Sequence, residues 1–391
     1  MIAPPAVRGR AITRRVLLVV LVVGALLAGV VGVAVDHLAA GGDDPVVQAR
    51  DAGNAFLETY VDDDGRVVRR DEGGDTVSEG QAYALLVATA LGDEERVRTV
   101  WAWTRRHLMR DDGLLSWRWN GGAVVDPASA ADADLDAARG LVLAGQRFAD
   151  PALTADGIHL ADAVLADETA PVGRDRLPPG SSPPPAGFGV DGSGTVLTAG
   201  SWVKAQPFTV NPGYFSPRSE ELLGGVTADP RWAEMSRTQR AVAWQLVGTG
   251  LLPPDWAVVE RTGGADPAPG PPGTSPRFGL DAARLPVRMA ESCDPADRAV
   301  AAATHPHLDR PDAELVGALD LSGAPLVEWT NPTVLVAAAA AARAAGSDDA
   351  ARSRLDAATD LDERTPTYFG SAWVALGRIM LDTDLLGRCA G

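Results

Sequence analysis

Three carboxyl groups in this 391-residue chain stand where helices should begin. Glu79 lies in "VSEGQAYAL", Asp132 in "SAADADLDAARGLVLAG" and Asp281 in "FGLDAARLP". Taken singly, each is explained by capping, because the free amides of a helix start favour negative charge by about 0.3–1 kcal/mol. Taken together they imply more. Helices that start at one end of a barrel point such groups into one concave mouth, and carboxyls gathered there can donate and accept protons.

The elements that must position these acids read as helices. Ser78 and Gln81 form a Ser-x-x-Gln capping box, so Glu79 opens a helix running to about Leu91. Its body, "AYALLVATAL", has no polar stripe and should be buried on all sides. Asp93 caps a helix whose Val97, Val100, Trp101, Thr104 and Leu108 fall on one face, and Asp132 opens another with Leu135, Ala138, Leu141, Val142 and Phe148. Asp150-Pro151, Ser216-Pro217 and Asn331-Pro332 are further starts of the cap-plus-proline kind. Wholly apolar segments ("TVLVAAAAAARAA" from Thr333) alternate with one-sided ones ("DDAARSRLDAATDL" from Asp348), as an inner ring of helices within an outer ring requires. About a dozen segments are expected, with little period-2 alternation to suggest sheet, so the body from residue 45 to 391 reads as one all-α domain. "LPPGSSPPPAGFG" from Leu177 and "GGADPAPGPPGTSPRFG" from Gly263 read as linkers or long loops, and His305-Pro306-His307 as a loop.

The net charge of −17 repels nucleic acid and anionic lipid, and favours neutral or cationic partners. Five scattered histidines and two cysteines offer no metal spacing, so no metal or other cofactor is expected. Ten tryptophans, against four tyrosines, exceed what packing usually needs. A flat indole suits the apolar face of a sugar ring, so a groove for a neutral polymer is the natural use for some of them.

Residues 16–35, "VLLVVLVVGALLAGVVGVAV", carry no charge and are long enough to cross a hydrocarbon core of about 30 Å. Arg8, Arg10, Arg14 and Arg15 precede them, and Asp36, Asp43 and Asp44 follow. The positive-inside rule then keeps residues 1–15 cytoplasmic and exports what lies beyond the linker at 36–44. The segment is read as a retained transmembrane anchor; cleavage near Ala34 would instead release a secreted body. Either outcome exposes Cys293 and Cys389 to an oxidising compartment where a bridge is permitted.

Between residue 45 and about Arg388 the chain resembles glycoside hydrolase family 8, bacterial endoglucanases that include the enzyme accompanying cellulose synthase. "DTVSEGQAYAL" is similar to the family's proton-donor segment, which implies Glu79 as general acid. "ASAADADLDAARGLVLAGQRF" resembles the family signature and matches Asp132 to its substrate-stabilising aspartate, with Ala131 where the family has Ser or Thr and Gly140 where it has Ser or Ala. "LDAAR" resembles the segment bearing the general base, implying Asp281, with Arg284 at i+3 to hold it ionised. "LLSWRW" with Trp117 and Trp119, "TVNPGYFSP" with Tyr214, and "PPDWA" with Asp255-Trp256 follow in family order. Trp119 is the first choice for a sugar platform and Tyr214 for a hydroxyl delivered by a turn, while Trp101 and Trp103 belong to packing. Asp134 and Asp136 read as solvent-facing, and Asp255-Trp256 as holding a loop.

The resemblance implies an (α/α)6 barrel and an inverting endo-hydrolase of β-1,4-glucan, acting as a monomer, with a glucan synthase as the partner it suggests. Xylan, lichenan or chitosan are the alternative substrates, and a non-catalytic glucan-binding protein the alternative class. One physical difficulty follows. A helix start lowers the pKa of Glu79, whereas a general acid must keep its proton; burial and repulsion from Asp132 are expected to oppose the dipole.

Overall fold

The computed structural model describes residues 44–173, 193–270 and 274–389. The chain divides at Gln48, and everything that follows concerns the unit from Ala49 to Gly391 and the helix leading into it. The apolar stretch at 16–35 and the "LPPGSSPPPAGFG" segment lie outside the described residues. Among the described residues no helix is long and apolar enough to cross a membrane.

Twelve α-helices occur among the described residues: α1 Pro45–Tyr60, α2 Ser78–Leu91, α3 Glu94–His107, α4 Ala131–Arg147, α5 Pro151–Asp167, α6 Pro217–Thr227, α7 Pro230–Val247, α8 Arg284–Glu291, α9 Pro295–Leu308, α10 Pro332–Ala344, α11 Asp348–Arg364 and α12 Tyr368–Asp382. The even-numbered helices pack in a closed circuit, α2 on α4, α4 on α6, α6 on α8, α8 on α10, α10 on α12 and α12 back on α2. Composition explains who is inside. From Pro332 to Ala342 every residue of α10 is buried, whereas α11 buries only Ala351, Leu355 and Ala358. Small residues set the spacing: a Cβ on Gly377 of α12 would come within 2.3 Å of Val336 Cγ1 on α10.

Short strands, which the sequence pattern does not announce, decorate this helical frame in three antiparallel sheets. They are β1 Thr76–Val77, β2 Arg118–Asn120, β3 Ala123–Asp126, β4 Thr169–Gly173, β5 Ser193–Leu197, β6 Phe208–Val210, β7 Trp256–Val259 and β8 Ala265–Ala268. Each lies in a connection that runs from an odd helix into the next even one. Those connections share one end of the ring with the N-termini of the even helices, and that end carries the site. The last strand occupies part of the Gly263 segment expected as loop.

Local expectations fare unevenly. Asp93, Asp150 and Asn331 accept first-turn amides as caps. The capping box at Ser78 does not form, because α2 starts at Ser78 itself after an uncapped Val77. Gln81 is wholly buried and turns away from the helix start, accepting from Val67 N at 2.6 Å and donating to Thr104 Oγ1 at 2.7 Å. His305-Pro306-His307 is the last turn of α9, not a loop; His307 contacts the carbonyls of Gly250 and Ser322.

Cys293, between α8 and α9, is bridged to Cys389 beyond α12, closing a loop 96 residues apart in sequence. Cross-linking so long a loop removes entropy from the unfolded chain, so Cys389→Ser should lower unfolding stability by about 2–4 kcal/mol in a urea titration. Unchanged stability would show the bridge to be dispensable.

Candidate active site

The site is built around Arg284, the first residue of α8. Its guanidinium is buried and reaches three groups: Nη1 donates to Asp132 Oδ2 at 2.5 Å and to Tyr83 Oη at 3.1 Å, and Nη2 donates to Asp281 Oδ1 at 2.6 Å. The Tyr214 ring covers one side, 4.9 Å from Cζ, with Phe369 5.8 Å away. Asp281 belongs to the turn that precedes α8 rather than to the helix. Asp255 holds that turn as a loop-fixing residue, accepting from Gly279 N at 2.9 Å, Ala282 N at 3.0 Å and Arg277 Nε at 3.1 Å.

Glu79 sits in the first turn of α2, and Trp117 Nε1 donates to its Oε1 at 3.2 Å. Burial, then the charge of Asp132, pushes the Glu79 carboxyl up to about 8, against the pull of the helix-start amides, Arg284 and Trp117. The expected opposition to the helix dipole is therefore present, with desolvation its larger part. Burial also raises Asp132 above the ordinary range, while Arg284 and then Arg288 draw it down. Of this pair Asp132 holds the direct cation contact, so the charge resides there and the proton on Glu79. Asp281 is raised by burial, opposed first by Arg284; its side chain is nonetheless 37% exposed, because it is ringed by protein but open along the cleft.

Two lobes of a cleft meet at these acids. One, of about 340 Å³, runs past Trp329, Phe369, Tyr368 and Arg69. The other, of about 490 Å³, runs past Trp202, Trp256 and Tyr214. Glu79, Trp117 and Asp281 line both, so donor and base candidates stand at the junction. A larger cavity of about 690 Å³ between α6 and α7 shares no lining residue with the cleft.

Among the tryptophans, Trp202 and Trp329 are 50% and 51% exposed, one in each lobe. Each lies over a glycine: a Cβ on Gly200 would come 2.5 Å from the Trp202 Nε1, and one on Gly317 would come 1.7 Å from the Trp329 ring. Neither was singled out by the sequence. A glycine two residues before Trp202 was a signal; for Trp329 the glycine is twelve residues away and only the fold joins them.

Trp119 does not line either lobe. It packs edge-on against Trp103, ring centres 5.3 Å apart, beneath the Arg66 guanidinium at 4.6 Å. Trp101, bonded through Nε1 to Asp156, and Trp103 are buried in packing. Tyr214 is presented by a 3-10 turn, Pro212–Tyr214, which Asn211 caps. Asp134 and Asp136 are not solvent-facing: both are fully buried. Asp136 pairs with Arg288 through two hydrogen bonds of 2.7 and 2.6 Å, and Asp134 accepts Leu115 N at 2.8 Å.

Comparison with known proteins points to one family. Residues 44–183 match the model for glycosyl hydrolases family 8. A probable endoglucanase of Novacetimonas hansenii is 35% identical over 59% of this chain and 64% of its own length. An endoglucanase of Xanthomonas axonopodis pv. citri (strain 306) is 30% identical over 56% of this chain and 55% of its own. The chain thus spans between half and two thirds of the length of these curated relatives. The solved endo-beta-1,4-glucanase CMCax from Acetobacter xylinum superposes with a TM-score of 0.67 at 28% identity, covering 85% of this chain and 97% of that one. Over residues 44–183 the chain is thus similar to glycosyl hydrolases family 8, and its fold is similar to that of a solved endo-beta-1,4-glucanase.

Removing Arg284 leaves two carboxyls without their shared cation. Arg284→Met should cost about 3–5 kcal/mol of unfolding stability, with Arg284→Lys intermediate, in urea denaturation. A variant as stable as wild type would show that the cation does not hold these acids together.

Proposed function

We propose that the chain is an inverting, endo-acting glycoside hydrolase that cleaves β-1,4-linked glucan. The observation that carries this reading is the junction of the two lobes, where Glu79, its carboxyl pushed up by burial, and a partly exposed Asp281 line the same cleft. A through-going cleft suits attack within a polymer, with sugar on both sides of the bond that breaks.

In the proposed reaction Glu79 gives its proton to the glycosidic oxygen as the bond to the anomeric carbon breaks. A water attacks that carbon from the opposite face, its proton passing to Asp281. Asp132, held by Arg284, supplies negative charge to the positive sugar ring of the transition state. The base then loses its proton to solvent and the acid regains one. Trp202 and Trp329 are the sugar platforms in this scheme, and Tyr214 shapes the junction.

The proposal extends to location. Residues 16–35 anchor the chain, the arginines before them stay in the cytoplasm, and the catalytic body faces outside, where the Cys293–Cys389 bridge persists. A glucan synthase as neighbour rests on the family resemblance.

Reducing-end release from carboxymethylcellulose, xylan, lichenan and chitosan tests substrate class, with carboxymethylcellulose expected to be cleaved fastest. Glu79→Gln should lower kcat by about 10²–10⁴. The first product seen by NMR should be the α-anomer; a β-anomer would refute inversion, and binding without turnover would refute catalysis. The rate should fall above about pH 8, as Glu79 loses its proton, and at low pH as Asp281 gains one at a value above the ordinary carboxylate range. An alkaline limb that Asp132→Asn leaves unmoved would remove Asp132 from the causes, since losing its negative charge should shift that limb to lower pH.

A further inference from the structure

The two lobes of the cleft differ in charge. No lysine or arginine lines the Trp202 lobe, whose ionisable acids are Glu79, Asp126 and Asp281. The Trp329 lobe is lined by Arg69 and Arg277 as well as by acids. Arg69 is fully engaged within the protein, donating to both oxygens of Asp75 at 2.8 and 2.7 Å and to Glu72 Oε2. Arg277 is not. Its side chain is 41% exposed, and among the described residues only Asp255 bonds it, through Nε at 3.1 Å. The remaining N–H donors, on Nη1 and Nη2, have no partner in the protein.

An arginine free to swing in solvent would say little, but this one is fixed by backbone and side chain alike. Asp255 N donates to the Arg277 carbonyl at 2.8 Å while Asp255 Oδ2 accepts its Nε. Asp255 Oδ1 is held in turn by the amides of Gly279 and Ala282. The next residue, Phe278, is fully buried and paired antiparallel with Leu319. That pairing reaches the loop of the exposed indole, where Gly317 N donates to Trp329 O at 2.8 Å beneath the Trp329 ring. One framework therefore sets a guanidinium and a flat ring in the same lobe.

A sugar stacked on Trp329 turns its rim, with the hydroxyl oxygens and whatever substituents they carry, towards the side of the lobe. The guanidinium there only donates, is always charged, and has a fork that matches a carboxylate. Asp255 does not cancel that preference: its side chain is 9% exposed, so the cation is the more exposed member of the pair. We propose that Arg277 is a specificity-determining residue, receiving in the Trp329 lobe the carboxylate of an anionic substituent on the glucan. This narrows the substrate class of the cleft and rests on the hydrolase reading above.

The test compares kcat/KM on carboxymethylcellulose with kcat/KM on uncharged hydroxyethylcellulose, as a ratio. Arg277→Met should lower that ratio by about five- to tenfold, chiefly through KM on the charged polymer, and Arg277→Lys by less. Molar salt should narrow the gap between wild type and Arg277→Met, since the interaction is screened. A ratio that Arg277→Met leaves at the wild-type value would overturn the proposal, and so would an equal loss on both polymers, which is what damage to the turn alone produces.

Binding provides a readout apart from cleavage. In native gels cast with either polymer, Arg277→Met should be retarded less than wild type by carboxymethylcellulose and show a smaller difference with hydroxyethylcellulose. Equal retardation of the two proteins by carboxymethylcellulose would overturn the role of Arg277. Cleavage of neither polymer by wild type would instead refute the hydrolase reading and leave the gel comparison to decide Arg277.

Discussion

One guanidinium sets the geometry on which the site depends. Arg284 joins Asp132 of α4 to Asp281 of the turn before α8, and so ties acids from two non-neighbouring inner helices to one point. The tie is repeated down the barrel interior by Asp136 with Arg288 and by Arg139 with Glu291, and each of the three pairs is separated by 152 residues. Equal separation follows from two helices of the same pitch facing one another, with contacts at intervals of four and three residues on each. The third pair reverses polarity, which prevents α4 and α8 from sliding by a turn without opposing like charges. Such pairs contribute little net stability against an apolar core, so their value lies in fixing register.

The same constraint divides the protonation states. A buried site with three carboxyls and one contacting cation cannot leave all three charged. Arg284 contacts Asp132 and Asp281 but not Glu79, so the proton falls to Glu79, whose neighbours are the indole of Trp117 and the charge of Asp132. The helix start that makes glutamate a natural residue there is overruled by desolvation. The proposed acid and base roles thus follow from which carboxyl the guanidinium reaches.

Much of this was legible in the sequence. The alternation of apolar and one-sided helices gave inner and outer layers, since burial on all sides leaves no place for a polar stripe. Glu79, Asp132 and Asp281 were visible as acids at helix starts, and a common mouth follows because the inner helices all begin at one end. Side-chain partners were less legible. Ser78 and Gln81 have the types and spacing of a capping box, yet Gln81 is claimed by Val67 and Thr104, which only the fold brings near. Asp134 and Asp136 look like surface charges until their partners, 19 and 152 residues distant, are known. Trp119 has a sugar platform's flat ring, but Arg66 and Trp103 cover it. Trp202 has only a nearby glycine to mark it, and Trp329 carries no local mark of exposure. Short strands escaped because two to five residues are too few to show a period.

The central claim is that Glu79 and Asp281 act on one sugar linkage across the junction of the two lobes. A crystal structure of the Glu79→Gln protein soaked with a cello-oligosaccharide tests it most directly. The account predicts a continuous chain crossing both lobes, with a glycosidic oxygen within hydrogen-bond reach of residue 79 and an ordered water between Asp281 and the anomeric carbon. A chain confined to one lobe, or lying where Asp281 faces no sugar, would contradict it.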